Sequence, residues 1–131
     1  MTNDNLRTLV RYRLKQADEA LGAAQFLLDQ HSLRAVVNRA YYAMFYAVLA
    51  LRKQETSRHA GAISLFDREF VKPGVFSTDL SQWLHRAFQR RLAADYAVPN
   101  TIQREEAQQM CNEAKEFVTR VKDYLEQELV L

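Results

Sequence analysis

Apolar residues recur along most of the chain at the three- and four-residue spacing of amphipathic helices. In a helix predicted from near Asp4 to Asp29, this stripe consists of Val10, Leu14, Ala17, Leu21, Ala24 and Leu28. In a last helix predicted to start at Thr101, it consists of Ala107, Met110, Ala114, Phe117, Val121 and Leu125. Such spacing places the apolar side chains on one face of a helix. The two ends of the chain are therefore predicted to be long helices with one buried face each.

The segment from Ala35 to Leu51, AVVNRAYYAMFYAVLAL, is apolar or aromatic nearly all round. Ser32 is predicted to cap this second helix, which runs to about Lys53. A helix that is apolar on every side must be covered on every side. We therefore expect it to be the central helix of a bundle. Because four or five helices can hardly wrap its three tyrosines and one phenylalanine, we also expect it to form part of a homodimer interface.

Two further helices are predicted from the breakers and caps. The first runs from about Ala60 to Val71 and is ended by Lys-Pro-Gly. The second runs from about Asp79 to Ala97, with Ser77 or Thr78 as its cap and Pro99 as the residue that breaks it. Three glycines and two prolines in 131 residues are too few for a β-sandwich or barrel, which needs a turn about every 8–12 residues. Residues 1–131 are predicted to form a single all-α domain, an antiparallel up-and-down bundle of about five helices.

Charge is distributed unevenly along the chain. The formal net charge is +2, but residues 103–131 contain four bases and seven acids, and the first 102 residues contain fourteen bases and nine acids. This excess suits an anionic partner. Arg7, Arg11 and Lys15 recur on one face of the first helix, either as a solvated surface or as a strip that contacts phosphates.

Cysteine content and the amino terminus indicate the compartment. The single cysteine, Cys111, excludes an internal disulfide and is typical of a reducing environment. It is predicted to be a buried, inert thiol. The amino terminus lacks the apolar run of a signal peptide, and the longest apolar stretch, Ala40 to Leu51, is too short for a bilayer that takes about 20 residues. We expect a cytoplasmic protein without a membrane segment.

Most enzyme motifs are missing. The sequence contains neither the GxGxxG motif nor the P-loop motif that bind nucleotide phosphates. It contains no GxSxG motif of a serine nucleophile, and its three histidines do not occur in an HExxH motif or beside a CxxC motif. No metal and no cofactor is therefore expected. His59 lies near the start of the third predicted helix, where it either hydrogen-bonds free backbone amides or contributes to an anion site.

The segment RAFQRRLAADY, residues 86–96, is the strongest candidate for chemistry. Arg86 and Arg90 are four residues apart on one face, and Arg91 lies at the edge of the apolar face. One interpretation is an ion pair between Arg91 and Asp95 at i, i+4, which contributes little when it is exposed. The other is a functional cluster in which Tyr96 presents its hydroxyl to a groove.

Three segments, NRAYYAMFYAVLAL, SRHAGAISLFDREFVKPG and RRLAADY, occur in this order. Together they resemble the HEPN family (higher eukaryotes and prokaryotes nucleotide-binding), especially its small stand-alone prokaryotic members, over nearly the whole chain. The resemblance implies an antiparallel helical bundle that commonly dimerises. It also implies a toxin or accessory protein linked to a minimal nucleotidyltransferase.

Many HEPN proteins are metal-independent ribonucleases with an Arg-x(4–6)-His motif at the dimer cleft, but this sequence departs from that pattern. No histidine follows Arg90 or Arg91 at that spacing, and Asp95 stands where it would be. A solvated aspartate is a poor general acid at pH 7. The resemblance also implies that the nucleotidyltransferase modifies a tyrosine near this motif, which would be Tyr96.

Together, the sequence and the resemblance predict a dimeric protein that binds a nucleotide or an RNA phosphate. Its central cluster would be Arg91, Asp95 and Tyr96. Further ligand-binding candidates are Asn38, Arg39, Tyr42, His59, Arg86 and Arg90. Two alternatives stay open: a metal-independent ribonuclease toxin that uses Arg90 or Arg91 in an atypical site, and a non-catalytic module that only holds its nucleotidyltransferase.

Overall fold

The computed structural model describes residues 3–52, 59–96 and 102–129, and the side chains of 4–52, 61–94 and 102–129. Five α-helices account for most of these residues: α1 (Asn3–Asp29), α2 (Leu33–Arg52), α3 (His59–Phe66), α4 (Thr78–Tyr96) and α5 (Arg104–Leu129). A π-helical segment, Asp67–Val71, directly follows α3. Within the described ranges there is no strand. The predicted all-α bundle is confirmed.

A tight connection folds α1 and α2 into an antiparallel hairpin. His31 adopts a left-handed conformation (φ 59°), which histidine tolerates better than most side chains. The turn is closed by two backbone hydrogen bonds: the His31 N–H donates to the Leu28 carbonyl at 3.0 Å, and the Ser32 N–H donates to the Leu27 carbonyl at 2.9 Å. Carbonyls at the end of α1 are thereby satisfied, and α2 begins immediately after Ser32.

The central position predicted for α2 is confirmed, because α1, α3, α4 and α5 all pack against it. Twelve of its residues are buried: Val36, Val37, Ala40, Tyr41, Ala43, Met44, Phe45, Ala47, Val48, Leu49, Ala50 and Leu51. Tyr41 is 0% exposed and Phe45 is 2% exposed within one chain. The neighbouring helices therefore cover these two rings, but Tyr42 and Tyr46 stay partly exposed, so one chain does not wrap all four rings completely. The homodimer itself stays a prediction.

The apolar stripes of the terminal helices lie in the core as predicted, and a group of phenylalanines joins α3 to α5. The Phe66 ring lies 5.3 Å from the Phe117 ring, 5.9 Å from Phe76 and 6.1 Å from Phe70, measured between centroids. Phe66 and Phe117 are both completely buried. These rings fix the short α3 and the turn that follows it against the long last helix.

Two predicted helix boundaries differ from the structure. The helix predicted to continue to Val71 widens after Phe66 into a π turn, in which the Lys72 N–H donates to the Asp67 carbonyl at 2.8 Å. Single π turns insert one extra residue into a helix without breaking it, so the apolar pattern continues. The last helix begins at Arg104 and not at Thr101, which lies outside the described residues.

Cys111 is buried as predicted, at 6% exposure. Burial raises the pKa of its thiol, and the nearby Asp29 carboxylate raises it further. Because the thiolate is the nucleophilic form, this environment disfavours reactivity. In the described part of the chain, no helix combines the length and apolarity needed to cross a bilayer.

Candidate phosphate-binding site

One stripe of α2 stays partly exposed. Between Val36 and Leu51, the side chains that are not fully buried are those of Asn38, Arg39, Tyr42 and Tyr46. Their spacing places them on one side of the helix. The central helix therefore presents two polar side chains and two tyrosines at the surface, and three of these four residues were candidates from the sequence.

Arg39 lies across this stripe. Its Nε and Nη2 donate to the Asn38 amide oxygen at 3.0 and 2.8 Å, and its guanidinium carbon is 5.0 Å from the centroid of the Tyr42 ring. Such a distance is typical of a cation–π contact. Neither the amide nor the ring carries a net charge, so these contacts do not neutralise the positive charge of Arg39.

Arg91 reaches the same stripe from α4. Its guanidinium carbon lies 5.3 Å from the Tyr42 ring centroid and 5.5 Å from the Tyr41 ring centroid. Two guanidinium groups from different helices thus share the Tyr42 ring. We call Asn38, Arg39, Tyr41, Tyr42 and Arg91 the arginine–tyrosine cluster.

Tyr41 is the buried member of the cluster. Its ring is 5.9 Å from Phe45 in a stacked arrangement and 5.7 Å from Phe88 of α4. Burial raises the pKa of its hydroxyl well above the ordinary value, and the positive charge of Arg91 offsets only part of that rise. Tyr41 is therefore protonated at neutral pH, and it serves as a rigid support for Arg91.

Arg34 ties α2 to the end of α4, because its Nη2 donates to the Ala94 carbonyl. That carbonyl belongs to the last turn of α4, where helical carbonyls lack partners within the helix. This contact holds the end of α4 beside the first turn of α2. Arg34 and Tyr41 were not among the sequence candidates, since no local pattern marks a residue whose role depends on the packing of two helices.

Arg86 and Arg90 face α5 and lie outside the cluster. Arg86 pairs with Glu113 at 3.1 Å, and Arg90 pairs with Glu106 at 2.8 Å. Successive residues of a helix point about 100° apart, so Arg90 and Arg91 meet different neighbours. The glutamates offset the charge of both arginines. The structure therefore does not bring these two candidates together with Arg91.

For three of the sequence candidates, the structure describes the backbone but not the side chain. His59 belongs to the first turn of α3, and Asp95 and Tyr96 belong to the last turn of α4. Their side chains lie outside the described part of the structure, as does any ion pair between Arg91 and Asp95. The backbone alone places residues 95 and 96 one turn beyond Arg91, next to the carbonyl that Arg34 binds.

A second polar group, absent from the sequence candidates, joins the π segment to α4. Asp67 accepts hydrogen bonds from the Ser81 hydroxyl at 2.7 Å and contacts His85 Nε2 at 2.5 Å through its other oxygen. In a nucleophilic triad the histidine lies between the serine and the aspartate. Here the aspartate lies in the middle, so His85 is not placed to take the serine proton. This group holds two structural elements together.

The fold that carries this cluster is an all-α bundle built around α2. The HEPN domain family model matches residues 10–124, and the chain belongs to this family.

Relatives that align over most of the chain agree with this assignment. The chain is 32% identical to a UPF0332 protein of Thermotoga maritima, over 90% of this chain and 92% of that protein. It is 31% identical to a Methanocaldococcus jannaschii protein named "Putative toxin MJ0605", over 97% of this chain and 96% of the relative. A second protein of that organism, "Putative toxin MJ0142", is 30% identical over 86% of this chain and 78% of the relative.

Proposed function

We propose that this HEPN protein binds a phosphate group of a nucleotide or of RNA at the arginine–tyrosine cluster. The observation that carries the proposal is the sharing of the Tyr42 ring by Arg39 of α2 and Arg91 of α4, at 5.0 and 5.3 Å. Guanidinium groups match the geometry of phosphate oxygens and donate two parallel hydrogen bonds. The partly exposed Tyr46 ring lies 5.8 Å from the Tyr42 ring and offers a face on which a base can stack.

We further propose that the protein acts in a toxin–antitoxin-like module with a minimal nucleotidyltransferase as its partner. The names of the two Methanocaldococcus jannaschii relatives support a toxin role. The family resemblance supports the partner. In this arrangement the nucleotidyltransferase would bind near the end of α4, where Tyr96 is located.

Binding without cleavage is the activity that the residues favour. A ribonuclease of this family uses a histidine for proton transfer, and no histidine follows Arg90 or Arg91 at the motif spacing. Loss of a general acid or base costs roughly 10²- to 10⁴-fold in rate, whereas arginine still binds phosphate without it. The ribonuclease toxin stays the second candidate, because the relatives carry the toxin name.

We expect purified protein to bind single-stranded RNA with a strong salt dependence and to leave it uncleaved without metal ions. Each phosphate contact should contribute about −0.7 to the slope of log affinity against log salt. Fluorescence anisotropy at several salt concentrations measures the slope, and gel analysis of total RNA in chelator measures cleavage.

The outcomes of that experiment separate the three candidate functions. If the wild type cleaves RNA, and Arg91→Ala abolishes the cleavage while Arg86→Ala preserves it, the protein is a ribonuclease. If the protein binds no RNA at any salt concentration, the remaining candidate function is the non-catalytic module that holds its nucleotidyltransferase. Arg86 is a matched control because it is on the same helix as Arg91 and its contacts are with α5.

We also propose that the protein is a homodimer, supported by the common dimerisation of HEPN domains. Sedimentation at micromolar concentration should give about twice the chain mass of 15.3 kDa. A standard interface buries about 1,600 Å² in total. A stable monomer would contradict the dimer and any site that two subunits share, while leaving the phosphate contact of one chain intact.

A further inference from the structure

An exposed aromatic and basic surface on α1 lies apart from the arginine–tyrosine cluster. Tyr12 is 55% exposed, and the Arg13 guanidinium carbon lies 5.7 Å from its ring centroid. Arg11 and Lys15, one residue before and three residues after Tyr12, are also exposed. Arg7 does not belong to this surface, because its Nε donates to the Leu129 carbonyl at 2.9 Å and it pairs with Asp4.

A groove between α1 and α2 connects this surface to the cluster. Arg13 Nη1 donates to the Gln16 side-chain oxygen at 3.0 Å. Gln16 then lines a groove of about 140 Å³ whose other lining residues are Glu19, Ala20, Arg39 and Tyr46. The Tyr46 ring is 5.8 Å from the Tyr42 ring. These contacts and the shared lining of the groove connect Tyr12 to Arg91 across three helices.

We infer that this path, from Arg91 over Tyr42 and Tyr46 to Tyr12, is a binding track for single-stranded RNA. The inference rests on the proposed function, since the arginine–tyrosine cluster is one end of the track. It adds a second, remote contact and a minimum strand length to the RNA binding proposed above. A mononucleotide or dinucleotide would occupy only the cluster, and a longer strand would reach α1.

The chemistry along the path favours a nucleic acid strand over a protein partner. Three tyrosines lie along the path, with Arg39 and Arg91 beside Tyr42 and Arg13 beside Tyr12, which suits a polymer of bases and phosphates. The Glu19 carboxylate repels phosphates, so the strand's backbone should follow the arginines. The same carboxylate and the Gln16 amide can accept hydrogen bonds from 2′-hydroxyls or base N–H groups. The end of the track is basic at Arg11, Arg13 and Lys15.

The test compares two exposed aromatic residues of the same helix. Tyr12→Ala removes the remote ring of the track, and Phe26→Ala removes a ring that is 61% exposed and is not part of it. Affinities are measured by fluorescence anisotropy for labelled oligouridines of two and of about ten nucleotides, a length within the range of single-strand sites. Tyr12→Phe keeps the ring and serves as the rescue variant.

We expect Tyr12→Ala to weaken binding of the longer strand by about 5- to 100-fold, the effect of losing one stacked base. Its affinity for the dinucleotide should be unchanged. Phe26→Ala and Tyr12→Phe should behave as wild type with both ligands. Thermal unfolding confirms that the variants are folded, which is expected for exposed positions.

Four results would overturn the track. Unchanged binding of the longer strand by Tyr12→Ala, or an equal loss in Phe26→Ala, would overturn it. The proposed function would survive if Arg91→Ala still weakens dinucleotide binding. If Tyr12→Ala instead lowers affinity only for a protein partner, the α1 surface is a protein interface and the track is wrong. If the wild type binds neither oligonucleotide, both proposals fail.

Discussion

Phe66→Ala should lower the free energy of unfolding by about 3–5 kcal/mol, the usual cost of truncating a buried phenylalanine. Phe66 is fully buried, and its ring contacts Phe70, Phe76 and Phe117. Truncation leaves a cavity where α3, the following turn and α5 meet. Because small domains have only about 5–15 kcal/mol of stability, the variant should unfold at much lower urea concentration, measured by circular dichroism.

Two companion variants give this prediction its controls. Phe66→Leu keeps most of the buried volume and should cost less than Phe66→Ala. Phe26→Ala changes an exposed ring of α1 and should stay within about 0.5 kcal/mol of wild type. A loss below about 1 kcal/mol in Phe66→Ala would show that these rings do not hold α3 against α5.

Removing both arginines of the cluster should have the largest effect on binding. Hydrogen bonds to charged groups contribute about 1.5–3 kcal/mol each, so Arg39→Ala/Arg91→Ala should lower affinity for RNA by about 100-fold or more. Both residues contact the Tyr42 ring, and neighbouring residues rarely act independently. The single variants should therefore not add up to the double variant.

A change in the fold has to be separated from this loss of binding. Arg91 lies against the buried Tyr41 ring, so its truncation removes packing as well as charge. The double variant should keep the helical circular dichroism spectrum and cooperative unfolding. Restoration of wild-type affinity by lysine at both positions would show that charge alone suffices, whereas planar, stacked guanidinium groups predict only partial recovery.

Most of the fold could be predicted from the sequence, because one-sided apolar stripes and sharp breakers are local features. The stripes of α1 and α5 and the central place of α2 follow from periodicity alone. The π turn at Asp67 could not be predicted in this way, since the apolar pattern runs through it unchanged. Periodicity shows that α2 is apolar on every side without showing which helices cover it, so it could not indicate that Tyr41 and Phe45 are covered within the chain while Tyr42 and Tyr46 stay partly exposed.

The candidate site was predicted only in part. Asn38, Arg39 and Tyr42 lie on the open stripe of α2, and Arg91 reaches them from α4. Arg86 and Arg90 were grouped with Arg91 by sequence proximity, yet their partners are glutamates of α5. A local sequence shows which arginines share a helix face. It does not show which of these arginines pairs with a carboxylate of a neighbouring helix and which contacts an aromatic ring.

The different partners of these arginines allow a direct test of phosphate binding by the arginine–tyrosine cluster. The RNA affinity of Arg39→Ala/Arg91→Ala is compared with that of Arg86→Ala/Arg90→Ala in the same buffer. Each double variant removes two positive charges, so general electrostatic attraction falls equally in both. We predict a loss of about 100-fold or more in the first, from two lost charged hydrogen bonds, and in the second only the smaller loss that follows from the change in net charge. Equal losses in the two variants, or a larger loss in the second, would contradict the account.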